Sequence, residues 1–192
     1  MMRNAQGNDF NLTNQAKFNF VYALARGHAT CFLVFVRKNF GGEALGWPGL
    51  TAFIIMLVVG SFGQIPEMWP FLGVWMLALL CQRAGTMKAA RQGIIRHSRY
   101  DGDVDQKMAK LFRSRVAVKQ IVEPLACVAL AVFFEEYLGT SHGFALFFGV
   151  GAFSMAMVAV IDRQLDNKRL EAMRDAEIEG RYLTARYRGE IE

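Results

Sequence analysis

The sequence predicts an all-α integral membrane protein: four transmembrane helices in two hairpins, an amino-terminal interfacial helix and a long cytoplasmic carboxy-terminal helix. Three observations carry this. First, 53% of the 192 residues are apolar and 20% charged, with a mean hydropathy of +0.19. A soluble domain averages about 45–50% apolar and about 25% charged. Second, the 22 Lys and Arg fall in blocks: five before residue 40, ten within 83–119 and seven after 162. Third, the basic-free tracts 39–82 and 120–162 are mostly apolar and 44 and 43 residues long. About 20 residues at about 1.5 Å rise cross about 30 Å of hydrocarbon, so each tract accommodates two crossings and a turn.

The composition also excludes some classes. So much apolar surface is not that of a disordered chain. Three widely separated Cys (Cys31, Cys81 and Cys127) do not make a disulfide framework, and inert buried thiols are expected.

The chain divides into five segments. Residues 1–40 form a cytoplasmic or interfacial segment. Within it, 18–36 are largely apolar but interrupted by Arg26, Gly27 and His28. A mid-membrane Arg costs about 2.5–3.5 kcal/mol, which favours a helix lying in the interface over a fifth crossing. Arg26, Arg37 and Lys38 are then expected at lipid headgroups. Residues 1–17 are polar and do not resemble a signal peptide.

Residues 41–82 form the first hairpin. One crossing runs from about Leu45 to Gln64, and the prolines of Ile65-Pro66-Glu67-Met68-Trp69-Pro70 mark the turn. The second crossing runs to about Gln82. From Leu50 to Phe62 only Thr51 and Ser61 are polar side chains, which disfavours a soluble bundle with a polar outer face. Trp47, Trp69 and Tyr137 fall near predicted membrane boundaries, whereas Trp75 falls deeper and is expected to pack.

Residues 83–119 form a cytoplasmic helical loop with ten basic residues and three Asp. Arg83, Lys88 and Arg91 are further expected headgroup contacts. The break is placed at 97–103. Asp101, Asp103 and Asp105 imitate the start of a calcium loop, but Gln106 and Phe112 stand where Gly and Glu are needed, so a solvated turn is expected. Asp103 with Gln106 resembles a capping box for the helix entering the third crossing.

Residues 120–162 form the second hairpin, with its turn at Gly139-Thr140-Ser141-His142. Glu123 and Pro124 lie about a turn into the third crossing. A carboxylate beside a freed backbone carbonyl could line an ion path, although an interfacial position for Glu123 is the plainer expectation. Gly149, Ala152, Ala156 and Ala159 make a small-residue stripe suited to close helix packing. Residues 163–192 read as an amphipathic cytoplasmic helix with Leu165, Ala172, Met173, Ala176, Leu183 and Tyr187 on one stripe.

All three basic blocks belong on one side, which places both termini in the cytoplasm and the two turns outside. Bacterial inner-membrane residence follows as an expectation. No nucleophile–base pair, metal spacing, Walker loop or dinucleotide fingerprint is legible, so neither cofactor nor metal nor catalysis is expected. The expected partners are the lipid bilayer and either other subunits of a membrane complex or further copies. The basic loop is explained by topology without nucleic acid. The function expected is that of a non-enzymatic anchoring subunit, for example in a secretion, transfer or energy-transducing apparatus. A small oligomeric channel or transporter with Glu123 and Pro124 on its path is the alternative.

Overall fold

In the computed structural model, residues 3–41, 43, 45–94, 102–104 and 106–188 are described, with side chains from residue 15 onward. Helix accounts for 84% of the chain, and no strand occurs among the described residues. In order these are α1 (Arg3–Val36), α2 (Trp47–Phe62), α3 (Met68–Arg91), α4 (Gln106–Leu111), α5 (Arg115–Ala117), a π-helical segment (Val118–Val122), α6 (Glu123–Leu138) and α7 (His142–Tyr187). Among the described residues, three helical stretches are long and apolar enough to cross a membrane: Gln15–Val36, Arg115–Leu138 and His142–Tyr187. Trp47–Phe62 is apolar but shorter.

The chain forms two compact units, Met1–Val158 and Ala159–Glu192. In the first, apolar side chains of α1, α2, α3, α6 and α7 make one core. Its densest part is aromatic. The Phe32 ring lies 4.9 Å from that of Phe148 and 5.4 Å from that of Phe147. Phe71 meets Phe148 at 5.5 Å, and Phe134 meets it at 5.2 Å. Tilted and edge-on pairs at these separations add to the stabilisation from burial alone. Trp75 is fully buried, as its depth predicts, and its indole N–H donates to the Thr30 carbonyl at 3.3 Å.

The predicted turns are present. α2 ends at Phe62 and α3 begins at Met68, so Pro70 sits in a first helical turn where no N–H is required. Gly139 closes α6 in the left-handed conformation (φ +61°), a region that disfavours side chains, and its N–H reaches the Phe134 carbonyl. The turns lie together. Glu67 Oε1 accepts the Ser141 N–H at 2.9 Å, and Oε2 accepts the Ser141 hydroxyl at 2.9 Å.

Three features differ from the sequence reading. Residues 27–34 of α1 are buried at eight consecutive positions. A helix resting on an interface keeps one face in water, whereas this stretch is enclosed on every face. The helix entering the third crossing is capped by Ser114, whose hydroxyl oxygen accepts the Ala117 N–H at 3.2 Å. Asp103 is instead joined to the α1–α2 connection by two backbone bonds with Lys38, at 3.1 and 2.6 Å. Asp101, Asp105 and most of the predicted break at 97–103 lie outside the described residues. Finally, Gly149 makes no close approach: a side chain built there would meet open space. The tight contact is made two residues on, where a methyl on Gly151 would overlap the Phe32 ring. Ala152 beside it is in the core, and Ala156 and Ala159 are half-buried.

The second unit is helical through Tyr187, as the tail pattern predicts, and every residue from 163 to 184 is exposed.

Candidate functional site

The site forms where α1 ends. Arg37 follows the last residue of α1, and its side chain is 3% exposed. Its Nε lies 3.0 Å from Glu123 Oε2 and 3.2 Å from Oε1, while a terminal nitrogen reaches Oε2 at 2.6 Å. Glu123 is equally enclosed, at 2%. This is a bidentate guanidinium–carboxylate pair, the geometry in which such pairs are strongest. Arg37 is therefore not at lipid headgroups, where the sequence placed it. Its charge is neutralised by a residue 86 positions away.

Pro124 explains how Glu123 comes to face inward. Proline has no N–H to donate to the Gln120 carbonyl, so the α-helical ladder is interrupted. The chain takes a π turn over Val118–Val122, and the Glu123 N–H bonds to the Val118 carbonyl five residues back. In an unbroken α-helix, positions five apart point about 140° away from one another. Here Val118 and Glu123 are both buried, and the inward stripe continues through Cys127 and Ala131. π turns of this kind recur at functional sites because they re-aim a side chain.

Gln82 completes the arrangement. Its side-chain amide donates to the Val34 carbonyl at 3.1 Å and the Arg37 carbonyl at 2.8 Å. Helices leave their last carbonyls unsatisfied, and Gln82 covers two of them. Thus α3 and α6 both grip the end of α1, one by a neutral amide and one by a charge.

An apolar groove of about 480 Å³ adjoins the pair, with Glu123, Cys127, Phe71, Phe134 and Phe148 among its lining. Both oxygens of the Glu123 carboxylate are engaged by Arg37.

The other sequence-predicted headgroup residues have varied surroundings. The Arg26 guanidinium donates to the Tyr22 hydroxyl at 3.0 Å and lies over its ring. Arg83 donates to the Leu45 carbonyl at 3.3 Å. The Lys38, Lys88 and Arg91 side chains are exposed. Cys31 and Cys127 are buried, but Cys81 is exposed, contrary to expectation.

Sequence reasoning missed several polar ties. His28 Nδ1 lies 3.1 Å from Ser154 Oγ, and the Ser154 hydroxyl donates to the Val150 carbonyl at 3.0 Å. The Glu67–Ser141 link was also missed. Its backbone hydrogen bond from Ser141 holds the Glu67 carboxyl below its ordinary pKa. Isolated polar residues in apolar runs were the available signal, but nothing in the sequence pairs them.

No protein-family model, curated protein or solved structure matches this chain.

Proposed function

We propose that the protein is a non-enzymatic, multi-pass subunit of the bacterial inner membrane that anchors a larger membrane complex. In this reading α2, α3, α5–α6 and the first part of α7 cross the bilayer as two hairpins. Both turns face outward, and the basic segments and both termini face the cytoplasm. Association of the two turns through Glu67 and Ser141 supports hairpins that open on the same side. α1 contributes residues 27–34 to the interior of the bundle.

The observation that carries the anchoring role is the second unit. Its helix exposes Leu165, Met173 and Leu183 between charged residues over more than twenty positions. An isolated helix is only weakly stable in water, so a partner surface accounts for it best. The channel alternative is less well supported, because Arg37 occupies both oxygens of the one carboxylate proposed for an ion path.

Cross-linking from residues 163–188 in native membranes, followed by gentle detergent extraction and mass spectrometry, tests the role. A distinct membrane-complex subunit should be linked stoichiometrically. Recovery of a lone homo-oligomer would contradict it. Ion flux in reconstituted vesicles that is lost in Glu123→Gln, with assembly intact, would establish the alternative.

A further inference from the structure

A second cavity, of about 600 Å³, lies where the helical stretch Arg115–Leu138 begins. This is within the roughly 300–1,000 Å³ range of small-ligand sites. Lys110, Arg113 and Arg115 line it, together with Gln106, Ser114 and one carboxylate, Asp103. Asp103 Oδ2 is already bonded to the Asn39 side-chain amide at 3.1 Å. Among the described residues, no hydrogen bond or ion pair engages the side chains of Lys110, Arg113 or Arg115. Among the described residues, three cations thus line one concavity with a single, already engaged, carboxylate.

Arg113 also adopts φ +52°. That left-handed conformation is ordinarily taken by Gly or Asn, and a long side chain there is strained. Arg113 closes α4 in the left-handed conformation in which helices commonly end, and so stands at the rim of the basic cavity.

We propose that this cavity binds a phosphate group, with Arg113 and Arg115 as hydrogen-bonding guanidinium donors and Lys110 as a point charge. Guanidinium forks match phosphate oxygens in geometry, and ammonium groups add charge without that constraint. The group can belong to an anionic lipid headgroup or to a free phosphate. The site is independent of the anchoring role and of the Arg37–Glu123 pair.

Calorimetric titration of the full chain in neutral detergent tests this. The probes are short-chain phosphatidylglycerol and inorganic phosphate, each titrated separately. Arg113→Gly keeps the left-handed backbone and removes the guanidinium, so it should retain the thermal midpoint while weakening binding at least ten-fold. Lys110→Gln with Arg115→Gln should weaken it similarly, and Lys168→Gln with Arg174→Gln, at exposed positions away from the cavity, should not. Binding of phosphatidylglycerol alone identifies a headgroup as the source. Comparable binding of inorganic phosphate identifies a free phosphate. Absence of binding by both probes, or equal losses in the Lys168/Arg174 control, overturns the proposal.

Discussion

Arg37 and Glu123 illustrate an asymmetry of buried charge. Two ions taken out of water gain little net stability over well-packed apolar groups, yet stranding one of them costs about 3–5 kcal/mol. Arg37→Ala or Glu123→Ala should therefore lower unfolding free energy by about that amount in detergent denaturation curves. Arg37→Met combined with Glu123→Leu should recover most of the loss, since no charge is left unpaired. If the double variant is as unstable as the singles, the pair has a role beyond mutual neutralisation. Glu67 adds a pH dependence of known sign. Its folded pKa lies below the unfolded value, which is about 4.3. Its contribution is thus complete above about pH 4.3 and is lost as pH falls through the folded pKa. Thermal midpoints of wild type and Glu67→Gln should differ at pH 6 and converge as the pH is lowered below 4. The sequence showed where these charges were, but not what they faced. Arg37 was assigned to lipid because positional counting sees a cation beside an apolar run, and its carboxylate partner lies 86 residues away.

The helices themselves were largely legible, because apolar run length and turn residues are local signals. The turns after α2 and α6, the continuation of α3 beyond Gln82 and the helical tail were all readable that way. Register and packing were not. The π turn before Glu123 depends on a missing donor at Pro124 acting together with burial demands from α1. Gly149 and Gly151 look alike in sequence, and only the position of Phe32 distinguishes them. Gly151→Leu should destabilise the bundle by about 1–3 kcal/mol through overpacking, with the Phe32 ring forced aside. Gly149→Leu should change the thermal midpoint little, because that position meets open space. Equal effects at the two positions would contradict the observed contact. A similar close approach holds α1 to α2, where a methyl on Gly27 would overlap Thr51.

At the scale of the whole molecule, the outer surface agrees with the core in pointing to lipid. Ile121, Leu125, Val128, Val132 and Phe133 are all exposed along the Arg115–Leu138 stretch. A contiguous apolar surface of this extent is a liability in water and is expected of a helix facing hydrocarbon. The basic blocks support the sidedness proposed above through the positive-inside tendency. Function was not legible at this scale, because a docking surface such as the one proposed is complementary to a partner, and a single chain carries no record of that partner's shape. The most direct test of the two-hairpin arrangement is labelling of single cysteines by a membrane-impermeant maleimide in intact cells, with Cys31, Cys81 and Cys127 replaced. Cysteines at Gln64 and Thr140 should label from outside, and those at Lys17, Lys107 and Arg174 only after permeabilisation. Turn cysteines that label on opposite sides of the membrane, or a Lys107 cysteine that labels in intact cells, would contradict the arrangement.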